Sequence, residues 1–129
     1  MKPKLLIVED NATLRKTTRD ILESKFPTLR VFEAGNGKEA FSQIRLDLPH
    51  IILMDIRLPE QNGLELTQEI KKLHPQIIII IFTNYDLPEY RKAAFEKGAD
   101  FFYSKSSPSR PTLTTMVQTI LADAGFNQA

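Results

Sequence analysis

His50-Ile51-Ile52-Leu53-Met54-Asp55-Ile56-Arg57-Leu58-Pro59-Glu60-Gln61-Asn62-Gly63 decides how this chain folds. Ile51–Met54 is a short, continuously apolar run bounded by turn formers, which reads as a strand covered on both faces. Asp55 is the first charge after it, and Pro59 through Gly63 supply the turn. The chain opens on the same pattern, with Lys4-Leu5-Leu6-Ile7-Val8 running into Glu9-Asp10. Two buried strands that both end in carboxylates predict one acidic pocket at one edge of a sheet.

Outward from that stretch, five apolar runs alternate with five helical patterns. The runs are Leu5–Val8, Leu29–Phe32, Ile51–Met54, Ile77–Phe82 and Phe101–Tyr103. Arg30 interrupts the second, which places that strand nearer an edge. The first helix is predicted from an Asn11 cap to about Phe26, before Pro27, with Leu14, Thr18, Ile21, Leu22 and Phe26 on one face. The second covers about Lys38 to Leu46, with Ala40, Phe41 and Ile44 inward. The third covers Leu64 to Leu73, with Leu66, Ile70 and Leu73 inward and Pro75 closing it. The fourth runs from Pro88 to Gly98 and buries Ala94 and Phe95. The fifth runs from Pro111 to Ala124, capped by Ser109, with Leu113, Met116, Val117, Ile120 and Leu121 inward. Strict βα alternation predicts a parallel sheet with helices on both faces. In such sheets ligands bind beyond the carboxyl ends of the strands. Glu9, Asp10, Asp55 and Thr83 sit at such ends, and Lys105 follows the last run.

The composition excludes several function classes. At 129 residues the chain suits one domain and can bury a core without a covalent staple. It contains no cysteine, so a disulfide scaffold, a thiolate metal site and a cysteine nucleophile are out. Seventeen basic and sixteen acidic side chains leave a net charge of +1, with no basic block to support nucleic-acid binding. The longest apolar run, Ile77–Phe82, falls far short of the ~20 residues that span a bilayer. A cytoplasmic protein with no membrane contact is expected, so the glycosylation pattern Asn11-Ala12-Thr13 is set aside. Gly35-Asn36-Gly37-Lys38 lacks the Walker spacing and reads as a turn. His50 and His74 fall in loops, as structural or solvated residues.

Glu9, Asp10 and Asp55 would crowd together, and each pair ~5 Å apart repels by about 3 kcal/mol at an effective dielectric of 20. A cation offsets that repulsion. Mg²⁺ (or Mn²⁺) suits oxygen ligands, with Glu9 and Asp10 holding it and Asp55 and the backbone carbonyl of Arg57 completing the set. Asp55 is then a nucleophile able to take a phosphoryl group as an acyl phosphate. Lys105 adds a second positive centre, and Thr83 a hydroxyl.

Taken in order, these pieces resemble the receiver domain of two-component response regulators, over Lys4 to about Leu121. The matching pieces are Leu6-Ile7-Val8-Glu9-Asp10, Ile52-Leu53-Met54-Asp55-Ile56-Arg57-Leu58-Pro59 with Gly63, Phe82-Thr83-Asn84, Gly98-Ala99-Asp100 and Lys105. The resemblance implies a flavodoxin-like doubly wound (βα)5 fold of the CheY-like superfamily, strand order 2-1-3-4-5. It implies that Asp55 is the phosphoacceptor, Glu9 and Asp10 the metal-binding pair, Thr83 the phosphate-sensing hydroxyl and Lys105 its counter-ion. Phe102 matches the aromatic that turns inward on phosphorylation, so Thr83 and Phe102 form the switch. It further implies a sensor histidine kinase or histidine phosphotransfer protein as donor.

Residues 1–129 are read as a single receiver domain, core about 4–124, with no effector domain in the chain. A downstream protein or a missing effector domain would receive the signal. A phosphorylation-dependent homodimer is a further expectation, with Arg91, Lys92, Glu96, Lys97, Asp100 and Arg110 as candidate ion-pair partners. Two departures stand out. Ser106 follows Lys105 where the family often has proline, with Pro108 later. Asn84 is larger than the usual small residue after the threonine, so Arg57, Asn84 and Tyr85 are expected to tune access to Asp55 and phosphoryl lifetime. No enzymatic turnover on other substrates is expected. The alternatives are a phosphorylation-independent interaction module of the same fold and, more weakly, a phosphohydrolase using Asp55.

Overall fold

A computed structural model describes residues 2–105 and 110–126. Strands and helices alternate as β1 (Lys4–Val8), α1 (Ala12–Lys25), β2 (Arg30–Ala34), α2 (Gly37–Leu46), β3 (Ile51–Met54), α3 (Gly63–Leu73), β4 (Ile78–Thr83), α4 (Pro88–Glu96), β5 (Phe101–Ser104) and α5 (Arg110–Asp123). The strands form one parallel sheet in the order β2-β1-β3-β4-β5, the flavodoxin-like order. The interior strands consist almost entirely of Ile, Leu, Val and Met, which suits a sheet packed on both faces.

Because side chains alternate across a strand, each strand feeds two cores. Leu6, Val8, Ile52, Met54, Ile79 and Ile81 join residues of α2, α3 and α4 on one face. Leu5, Ile7, Ile51, Leu53 and Ile80 join α1 and α5 on the other, where Leu113, Met116, Val117, Ile120 and Leu121 are all buried as their spacing predicts.

Asparagine begins three of the helices. Asn11 accepts a hydrogen bond from the amide of Leu14, Asn36 from Glu39, and Asn62 from Leu64 and Glu65. Only the first of these caps was read from sequence. Pro88 opens α4, as expected. Ser106, Pro108 and the proposed Ser109 cap lie outside the described residues.

Several expectations need correction. β2 starts one residue later and ends two later than the Leu29–Phe32 run, at Arg30–Ala34, because it pairs in register with all of Lys4–Val8. Leu73, the last residue of α3, is 65% exposed rather than inward. Phe95 is 45% exposed, and Ala94 is the fully buried residue of α4. α4 ends at Glu96, and Gly98 (φ 103°) makes the turn into β5. Asp100 is occupied within the chain: its carboxylate accepts from the Ile79 amide and from Lys71 Nζ. Lys71 also reaches the carbonyls of Pro75 and Ile77, and so ties α3 to the starts of β4 and β5.

Candidate functional site

The parallel ladders continue one residue past the strand ends. The Glu9 amide donates to the Ala34 carbonyl (3.0 Å), Asp55 to Val8 (3.1 Å) and Lys105 to Thr83 (2.8 Å). These bonds fix three candidate site residues to the carboxyl edge of the sheet. All three continue the alternation that faces α1 and α5, so their side chains meet. Lys105 Nζ donates to Asp55 Oδ2 (3.1 Å) and to Glu9 Oε1. Glu9 is 5% and Asp55 9% exposed.

Each carboxylate is held a second time. Asp55 Oδ1 accepts from the Ile56 amide (2.8 Å), and Glu9 Oε2 accepts from the Asn11 amide (3.0 Å). Burial pushes the Glu9 carboxyl up, and the Lys105 ammonium and Asn11 amide offset this only in part. The group therefore carries two carboxylates against one ammonium, most of it out of water.

The turn after β3 closes tightly on the same place. The Gly63 amide donates to the Ile56 carbonyl (2.7 Å), and a Cβ on Gly63 would lie 1.9 Å from the Asp55 carbonyl oxygen. No side chain fits there. The backbone of Asp55 is thus pressed against the start of α3.

The remaining candidates lie around this centre. Asp10 is exposed. Thr83 is fully buried, but it belongs to the opposite alternation, with Ile79 and Ile81. Its Oγ1 accepts from the Tyr85 amide (3.2 Å). Phe102 is turned inward on that same side, with the Arg91 guanidinium 4.8 Å from its ring centroid. Arg57 and Asn84 are exposed and Tyr85 half-buried, with the Arg57 guanidinium 4.8 Å from the Tyr85 ring centroid.

Sequence reasoning missed Arg15. Its Nη1 donates to the Glu9 carbonyl (2.6 Å) and its Nε to Glu33 Oε1 (2.8 Å), while Arg19 holds Glu33 Oε2 (2.9 Å). The signal was present: two arginines one helical turn apart, and a single acid inside β2.

Among the described residues no three acidic or imidazole side chains are gathered as a ready-made metal cage. Mg²⁺ needs less, usually one or two carboxylates together with water and phosphate oxygens. Glu9 and Asp55 already direct oxygens at one cationic atom, the Lys105 nitrogen, and Asp10, the residue after Glu9, is an exposed carboxylate. That donor set fits the ion.

A parallel (βα)5 sheet with an acidic pocket and a lysine at its carboxyl edge defines a doubly wound domain of flavodoxin-like architecture. Residues 5–118 match the response regulator receiver domain, and the chain belongs to that family. It is 32% identical to the chemotaxis protein CheY of Halobacterium salinarum over 94% of this chain and 98% of that protein. It is 29% identical to the transcriptional activator protein ExaE of Pseudomonas putida over 96% of this chain, and spans only 58% of that relative's length. A CheY-like response regulator receiver domain from Methanospirillum hungatei superposes with a TM-score of 0.87 at 27% identity, covering 95% of this chain and 96% of that one. The family consists of signalling domains of two-component systems rather than classical enzymes. Its members bind Mg²⁺ at the phosphorylation site and work with histidine kinases and effector domains. Among the described residues no helix is long and apolar enough to cross a membrane.

Proposed function

We propose that Asp55 accepts a phosphoryl group from the phosphohistidine of a sensor kinase or histidine phosphotransfer protein. An Asp55 carboxylate oxygen forms the new bond to phosphorus as the P–N bond to the donor breaks, and the donor ring, already protonated at its other nitrogen, takes the bonding pair and leaves as neutral imidazole. The observation that carries this reading is the Lys105 ammonium shared by Glu9 and Asp55. Two buried carboxylates sharing one ammonium among the described residues support an anionic centre able to accept further positive charge. Glu9, Asp10, Asp55 and the Arg57 carbonyl would hold Mg²⁺, which supplies charge neutralisation for the phosphoryl oxygens. Lys105 supplies a second positive group to the same oxygens. Ile56 and Gly63 keep the nucleophile oriented, so little reorganisation is needed at transfer.

The signal follows from the added charge, about −1.5 to −2. Thr83 exchanges its bond with the Tyr85 amide for one with the phosphoryl group, and Phe102 keeps the inward position it has here. Phosphorylation thereby weights an arrangement of the Thr83–Phe102 pair that the chain can already adopt. The chain acts as one cytoplasmic receiver unit, read by a downstream protein, an effector domain or a second copy. Arg57, Asn84 and Tyr85 at the rim set access and lifetime.

Intact mass after incubation with acetyl phosphate and Mg²⁺ tests this. An adduct of about 80 Da is expected on the parent and is absent from Asp55→Asn and from samples lacking the cation. No adduct, together with no binding of beryllofluoride, would leave a phosphorylation-independent interaction module.

A further inference from the structure

Arg57 is a long, exposed side chain two residues past Asp55, and such a side chain is ordered only if something holds it. The face of Tyr85 does so, at 4.8 Å. Tyr85 is in turn braced by Tyr90, whose ring meets it edge to face, with centroids 6.0 Å apart and planes at 69°. Both tyrosines are half-buried against the core beneath α4. Tyr90 lies in the first turn of that helix, two side-chain contacts away from Arg57. The next residue, Arg91, lies over Phe102. One turn of α4 therefore touches both Tyr85, which carries Arg57, and the buried aromatic of β5.

α4 is also a lightly anchored helix. Ala94 is its fully buried residue, its amino end has no side-chain cap, and Leu87 and Phe95 stand exposed on and beside it. A helix held so loosely shifts at small cost, and Tyr90 would move with it.

We propose that Tyr90 is a positioning residue for Arg57, acting through Tyr85, so that displacement of α4 changes how long Asp55 keeps its phosphoryl group. This rests on the reading of Asp55 as phosphoacceptor. With the stack intact, Arg57 stays over the rim and restricts the approach of water to the acyl phosphate. With Tyr90 truncated or carried away, Tyr85 loses its brace and Arg57 its platform. A partner seated on α4 would then alter the lifetime of the signal it reads.

The experiment follows the decay of the adduct by intact mass in Tyr90→Leu, Tyr90→Phe, Arg57→Gln and the Tyr90→Leu/Arg57→Gln double variant. Tyr90→Leu is expected to shorten the lifetime about threefold, the rate equivalent of one exposed cation–ring contact. Tyr90→Phe keeps the ring edge and restores the parent lifetime. The double variant decays no faster than Arg57→Gln alone. A parent-like lifetime in Tyr90→Leu, or additive effects in the double variant, would overturn the proposal. A second readout needs no phosphoryl group: the Arg57 Nε–H resonance, displaced by the Tyr85 ring current, moves in Tyr90→Leu and stays in Tyr90→Phe. If that resonance is unmoved by Tyr90→Leu, the relay does not exist. If the parent takes up no phosphoryl group while the resonance does move, the relay stands and the reading of Asp55 fails.

Discussion

Lys105 sits at one tenth exposure between two carboxylates that are as deeply placed as it is. Removing one partner of a buried charge group costs about 3–5 kcal/mol, because the remaining charges lose their compensation. Lys105→Met is therefore expected to lower the urea-unfolding free energy by about that amount at neutral pH. Millimolar Mg²⁺ should return part of the loss, since the freed Glu9 and Asp55 oxygens face one point. Equal loss with and without the cation would show that these oxygens do not converge on a metal position. The identities of Glu9, Asp55 and Lys105 could be read from the ends of the apolar runs. Their division from Thr83 could not. It depends on which face each strand end presents, and a shift of one residue would have reversed it.

At the scale of elements, the turn between β3 and α3 shows how closely one helix start is fitted to Asp55. Gly63 opens α3, and its missing Cβ is what lets the Asp55 carbonyl approach. Gly63→Ala should cost about 1–3 kcal/mol in unfolding free energy, the usual cost of overpacking. It should also displace the amide resonances of Asp55 and Ile56. A variant with parent stability and unshifted amides would mean that the loop relaxes freely and does not orient the nucleophile. The element pattern itself was legible, because apolar runs and helical spacing repeat five times without ambiguity. The misplaced residues, Leu73 and Phe95, lie in the last turns of α3 and α4. Periodicity identifies a helix's apolar face, but not how far the neighbouring layer extends beneath it.

Across the whole molecule, several titratable groups link stability to pH, Glu33 and His50 among them. Burial pushes the Glu33 carboxyl up, but the guanidinium groups of Arg19 and Arg15 outweigh it and hold the carboxyl below its usual range. A depressed carboxylate contributes stability above its unfolded value of about 4.3, and this is lost as pH falls through the folded value. His50 is lowered by burial first and by the Lys4 charge second, while Asp47 opposes both. Its neutral Nδ1 accepts from the Lys4 amide, and Phe126 packs edge-on against its ring. The folded chain therefore binds fewer protons at this site, and stability falls as pH drops below about 6.5. Melting midpoints are expected to fall in two stages on acidification, with the upper stage weakened in His50→Gln and the lower in Glu33→Gln. A single unchanged curve in both variants would remove these two groups as the cause.

The sequence by itself determined the alternation of strands and helices, the parallel sheet and the carboxylates at its edge, because these follow from local patterns of apolar and turn-forming residues. Only the tertiary structure decided that Lys105, fifty residues from Asp55 and ninety-six from Glu9, donates to both. It also decided that Arg15 clasps the Glu9 carbonyl, and that Tyr90 stands behind Arg57. Those contacts depend on strand register, on the facing of side chains past the strand ends and on how closely each helix settles on the sheet, none of which is set by residues near in sequence.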